Sequence, residues 1–143
     1  YGVLESQFRR YFKIAKKQQG ATGENLIRIL ETRLDNVVFK LGLAPSKSTA
    51  RQLISHGHIC VNEKKVNIPS FSVNPGSVIS LKDKTKNLLA LKSSIERAVS
   101  RKSVPVWLEL NVENSSGVLK KIPTKEEIGS PLQERLIVEF YSR

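Results

Sequence analysis

Residues 33–81 decide the fold: RLDNVVFKLG at 33–42, SKSTARQLISHG at 46–57, then HICVNEKKVNIPSFSVNPGSVISL at 58–81. In the first piece the apolar residues Leu34, Val37, Val38 and Leu41 recur at helical spacing. In the second, Ser46 offers an N-cap hydroxyl, and Ala50, Leu53 and Ile54 form a short apolar face. Gly57 stands where a left-handed residue ends a helix. In the third the period changes toward two, through Ile59 and Val61, Val66 and Ile68, Val73, then Val78 and Leu81. Short antiparallel strands follow, with turns at Asn62-Glu63 and Asn74-Pro75-Gly76. This order puts positive charge on a helix pair braced by a small sheet, a surface suited to folded RNA.

Working outward, residues 4–19 place Leu4, Phe8, Tyr11, Phe12 and Ala15 at three- and four-residue steps, with bases spread over the remaining faces, as in an amphipathic basic helix. Gly20 can stop it and Thr22 can cap a second helix with the stripe Leu26, Leu30, Leu34, Val37, Val38 and Leu41, closed by Gly42 and Pro45. Beyond Leu81, residues 85–102 form a basic helix on Leu88, Leu91, Ile95 and Val99. Val106, Leu108, Leu110 and Val112 alternate with Trp107, Glu109, Asn111 and Glu113; Asn114-Ser115-Ser116-Gly117 then turns into residues 118–122, predicting a β-hairpin over 104–122. Thr124 and Glu127 have capping-box spacing. Leu132, Leu136 and Phe140 fit a last helix, although Ile137-Val138 would also suit a strand.

The charge narrows the partner. Twenty-four Lys and Arg against 13 Asp and Glu leave +11 on 143 residues, with pI near 10.0. A polyanion fits that balance. At 39% hydrophobic the chain can bury a core, so the charge belongs to a surface. A single cysteine, Cys60, forms no internal disulfide and fits a reduced, intracellular setting. No apolar run is long enough to span a membrane.

Catalytic signatures are missing: there is no phosphate loop and no Gly-rich strand-to-helix turn, so no enzyme activity and no cofactor is expected. Asp35 is the acid nearest to bases, and pairing with an arginine or a backbone group explains it better than catalysis. His56, His58 and Cys60 alternate as ligands on one strand face would, but Gly57 spoils that geometry and no second cluster completes a metal site. Trp107 reads as core packing.

The candidate RNA-binding residues are Arg9, Arg10, Lys13, Lys16 and Lys17 on the first helix, Arg33, then Ser46, Lys47, Arg51 and His56 around the short basic helix, and Lys64 and Lys65 beside the first strand turn. Bases neutralise phosphates and release condensed counterions, while short polar groups fix position. A solvated face is the competing explanation for Lys47 and Arg51 taken alone.

The stretches GENLIRILETRLDNVVFKLG, STARQLISHGHICVN, VNIPSFSVNPGSVISL and ERLIVEFYSR, with the opening YGVLESQFRRYF, resemble the small-subunit ribosomal protein S-four family of bacterial or organellar ribosomes. The resemblance spans essentially the whole chain. It implies an α+β fold in which a helical subdomain, residues 1–32 completed by 123–143, carries an inserted α/β RNA-binding module at 33–122, a two-helix motif followed by short antiparallel strands. It further implies a structural protein of the small subunit, in a cytoplasmic or organellar ribosome, that binds a multi-helix junction in the 5′ domain of the rRNA early in assembly. Contact with ribosomal protein S-five, an influence on decoding accuracy and a position near where mRNA enters are also implied, as is a further segment ahead of Tyr1 in the full family protein. A stand-alone RNA-binding assembly factor is the alternative. Two positions depart from the family pattern: Glu63 stands where glycine usually completes the turn, and Lys47 where arginine is common.

Overall fold

The computed structural model describes residues 5–17, 22–82 and 89–123. Five helices and five strands lie within them: α1 (Glu5–Lys17), α2 (Thr22–Glu31), α3 (Leu34–Lys40), α4 (Lys47–Ser55), β1 (Ile59–Val61), β2 (Lys64–Lys65), β3 (Val78–Leu81), α5 (Leu89–Ser100), β4 (Leu108–Asn111) and β5 (Ser116–Leu119). These residues divide into two compact units, the helices up to Glu31 with Pro123, and Thr32–Ile122. The expected beginning of the 85–102 helix, the Thr124–Glu127 cap and the last element at 132–140 lie outside the described residues.

In the first unit α1 and α2 bury Phe12, Ala15, Leu26 and Leu30, with Phe8, Tyr11 and Ile29 packed at the margin. The two helices are tied by a buried hydrogen bond that the Asn25 side chain donates to the Ala15 carbonyl at 3.1 Å. Arg28 Nε donates to the Pro123 carbonyl at 3.2 Å.

The continuous helix expected from Thr22 to Leu41 does not form. It breaks at Thr32 and Arg33, and Arg33 takes an extended conformation (φ −63°, ψ 143°) as N-cap of α3. The cause lies far along the chain. The loop at 66–73 crosses the start of α3, where Leu34 N–H donates to the Phe71 carbonyl (2.8 Å) and Asp35 N–H to that of Pro69 (3.1 Å), while Val73 N–H donates to the Thr32 carbonyl (2.9 Å). Backbone carbonyls thus satisfy donors that a capping side chain would otherwise take. Arg33 also bridges Ser72 in antiparallel fashion.

The second unit packs α3, α4 and α5 on an antiparallel sheet of order β2-β1-β3-β5-β4. Ile59 lies opposite Leu81, Val61 opposite Ile79, and Leu108 opposite Leu119. All six are buried with Leu34, Val37, Val38, Leu41, Ile54 and Trp107, so Trp107 is a core residue as its isolation in the sequence implied. The strand patterning needs two corrections. In β3 the inward residues are Ile79 and Leu81, and Val78 is 40% exposed, because residues three apart cannot share a strand face. The second strand is only the pair Lys64–Lys65, with Val66 half-buried and Ile68 exposed beyond it. On α5 the stripe is Leu91, Ser94, Ile95 and Ala98, and Val99 points to solvent. In the final hairpin Val106 and Val112 are exposed, and Ser116 and Gly117 belong to β5 rather than to the turn.

Two glycines let elements approach. Any side chain on Gly117 would collide with Leu41, which lies directly across β5. Gly42 has φ +84° and sits against Ala98 of α5, and its carbonyl accepts a 2.8 Å hydrogen bond from Ser94 Oγ. The 42–45 turn is thereby pinned to α5.

Candidate RNA interface

Helix α4 begins as its sequence dictates. Ser46 Oγ accepts from Thr49 N–H at 3.0 Å, and Ala50, Leu53 and Ile54 anchor one face in the core. Lys47 and Arg51 are four residues apart and therefore on one side of the helix, both half-buried. The Lys47 ammonium lies 5.9 Å from the centroid of the Phe39 ring, so the neighbouring helix steadies it. At the other end, exposed His56 and left-handed Gly57 (φ +80°) close the helix. Lys65 folds over that end, its Cδ 3.2 Å from where a Gly57 Cβ would stand. Ser46, Lys47 and Arg51 are thus gathered along α4, and His56 and Lys65 at its C-terminal end. Lys64 pairs with Val61 and Lys65 with Cys60, so the two lysines leave opposite faces of the sheet edge.

The β1–β2 turn keeps the backbone of a glycine-containing hairpin without the glycine. Asn62 and Glu63 both have positive φ, 51° and 69°, the pattern of a type I′ turn. Asn62 holds it to β3: its N–H donates to the Val78 carbonyl (2.8 Å) and its Oδ1 accepts from Val78 N–H (2.9 Å).

On α1 the bases Arg9, Arg10, Lys13, Lys16 and Lys17 are all exposed. At 100° per residue they occupy an arc of about 120°, opposite Phe12 and Ala15, instead of spreading around the helix. One face therefore carries five positive charges.

Arg33 is a correction. Its side chain is 6% exposed and forms a bidentate pair with equally buried Asp35, Nε to Oδ1 at 3.1 Å and Nη2 to Oδ2 at 3.0 Å. Asp35 Oδ1 also accepts from Asn36 N–H at 2.7 Å. Both residues hold the start of α3 in place, and Arg33 presents no charge to a ligand. Asp35 is the arginine partner that the sequence implied.

The sequence reading missed one feature. A groove of about 340 Å³ lies between residues 39–45 and α5, lined by Phe39, Lys40, Pro45, Arg97, Ala98 and Arg101 among others. Its signal was present in Ser94 and Ala98, small residues four apart on α5 that mark a close approach. Among the described residues no group of three His, Cys, Asp or Glu could hold a metal.

A two-helix motif on a small antiparallel sheet, with bases along the second helix, defines an RNA-binding module of the S4 class. The S4 domain family matches residues 32–79, and the family described as ribosomal protein S4/S9 N-terminal domain matches residues 1–31. Small ribosomal subunit protein uS4 of Dictyoglomus turgidum is 57% identical over 143 residues, all of this chain and 68% of that protein. The uS4 proteins of Thermoanaerobacter pseudethanolicus and Pelotomaculum thermopropionicum are 54% and 51% identical over the same shares. The chain belongs to the uS4 family of small ribosomal subunit proteins.

Proposed function

We infer that this chain is a structural, rRNA-binding component of the small ribosomal subunit. The observation that carries the reading is the basic face of α4 within the S4 domain match at 32–79. The five-base face of α1 supports it from the other unit. Basic side chains at fixed positions neutralise phosphates of adjacent RNA helices and so hold those helices in one relative orientation, reading backbone shape more than base sequence.

In finer detail, the target is a multi-helix junction in the 5′ domain of the rRNA, bound early in assembly. Ribosomal protein S-five and mRNA near its point of entry are neighbours in the assembled subunit, through which the protein contributes to decoding accuracy. The contacting residues are the five bases of α1 with Ser46, Lys47, Arg51, His56, Lys64 and Lys65.

Footprinting of the purified protein on naked small-subunit rRNA, with an unrelated structured RNA as competitor, tests the reading. Protection confined to a 5′-domain junction is expected; diffuse protection that the competitor abolishes would refute it. Arg51→Ala should lower the salt slope of binding by about 0.9, one counterion's worth, and an unchanged slope would remove Arg51 from the interface.

A further inference from the structure

We propose that the groove between residues 39–45 and α5 clamps one nucleotide of the bound RNA, its phosphate held by Lys40, Arg97 and Arg101 and its base laid against Phe39 and Pro45. The proposal rests on the RNA-binding reading and extends it to residues outside the two-helix motif.

Three features of the groove converge. Its lining contains three cations and no acid. No carboxylate of the described residues lies within ion-pair distance of Lys40, Arg97 or Arg101, and Arg97 Nε donates to the Ser93 carbonyl at 3.4 Å. Arg97 and Arg101 are exposed, and Arg101, just past the end of α5, continues its helical step through a 2.9 Å bond from its N–H to the Arg97 carbonyl, so the two lie on one side. A phosphate between them would receive donors from two guanidinium groups and an ammonium.

Beside the cations the lining presents apolar Phe39, Ala44, Pro45 and Ala98, with Ser94 and Ser103 as its neutral polar residues. A volume of about 340 Å³ lies at the small end of ligand pockets and suits a single nucleotide. The floor is built: Gly42 sits against Ala98 and is bonded to Ser94, which fixes the distance between the turn and the helix. The groove also joins the α4 face, because Lys47 lies over the Phe39 ring whose residue lines the groove. An RNA strand leaving Lys47 meets Phe39 and then Lys40, Arg97 and Arg101 without crossing an acidic group among the lining residues. An unpaired or bulged nucleotide is the element of folded RNA that can present a phosphate and a free base face together.

The test is filter binding of the whole chain to a small-subunit rRNA 5′-domain fragment over a series of salt concentrations, with Arg97→Gln/Arg101→Gln, Phe39→Leu and Arg51→Ala. Each neutralised phosphate contributes the inverse salt concentration raised to about 0.7–0.9, or about five- to eightfold at 0.1 M. The double variant leaves Lys40 alone on that single phosphate and should therefore bind about five- to eightfold more weakly at 0.1 M, with a slope lower by about 0.7–0.9. Phe39→Leu keeps the packing and should weaken binding at least about fivefold with the slope unchanged, the stacking share alone. A urea midpoint equal to wild type, read from Trp107 fluorescence, shows that these variants fold. If Arg51→Ala lowers the slope and the double variant does not, the groove is refuted while the RNA reading stands. If wild type has no preference for the fragment over competitor RNA, both fall. If the double variant binds RNA normally but another small-subunit protein is lost from reconstituted particles, the groove holds an acidic protein segment and the proposal is overturned.

Discussion

Replacing Asp35 by alanine should take about 3–5 kcal/mol from the stability of the Thr32–Ile122 unit. The substitution leaves the Arg33 guanidinium buried at 6% exposure without its carboxylate. Taking the charge centres as about 4 Å apart and an effective dielectric of about 20, the lost attraction is about 4 kcal/mol. Removing one partner of a buried pair costs about 3–5 kcal/mol by comparison with other proteins, and the whole stability of a domain this size is about 5–15 kcal/mol. With a urea dependence of about 1.5 kcal/mol per molar, the midpoint should fall by about 2–3 M. Trp107 makes the assay specific, since it is the one tryptophan of the chain and lies in this unit's core. Arg33→Met/Asp35→Leu should recover most of the loss, because no buried charge remains; about 1–2 kcal/mol should persist from the missing bond to Asn36 N–H at the start of α3. An unfolding free energy for Asp35→Ala within about 0.5 kcal/mol of wild type would refute the reasoning, and so would a double variant whose loss equals the sum of the two single losses.

The remaining predictions concern the backbone around the interface. Glu63→Gly should stabilise the same unit by about 1 kcal/mol, since glycine tolerates the +69° φ that glutamate holds under strain; an unchanged or lower urea midpoint would mean that the turn carries none. Gly42→Ala should cost about 3 kcal/mol through both its φ and the collision with Ala98, and Ala98→Gly in the same chain should restore only the collision part. Ser46→Ala should cost about 1 kcal/mol by removing the cap of α4, and its RNA affinity at 0.1 M salt should fall with the salt slope unaltered.

What the sequence disclosed follows the range of the interactions involved. The Ser46 cap and the Gly57 stop are local, so a few neighbouring residues specify them and both stand where expected. The break at Thr32 and Arg33 was hidden because the apolar stripe runs unbroken from Leu26 to Leu41, and the carbonyls that divide it belong to Pro69 and Phe71. Arg33 looked like one more surface base for the same reason: its burial depends on that loop. The concentration of the α1 bases on one arc was legible by counting 100° steps, whereas the groove on α5 needed Gly42 and Ala98 to be placed together in space.

The order β2-β1-β3-β5-β4 gives the sheet a seam. Strands β1 to β3 all fall within residues 59–81, while the β3–β5 pairing brings Val118 to Val78 from beyond α5 and β4. Closing that long loop is entropically slower than closing the β1–β2 hairpin. During synthesis the α3–α4 pair and strands β1 to β3 leave the translating ribosome before β5, and the outer edge of β3 waits for it. Until Gly117 seats beneath Leu41, that edge is an open template for pairing with another chain. A pause between the making of β3 and that of β5 therefore leaves this edge open to aggregation.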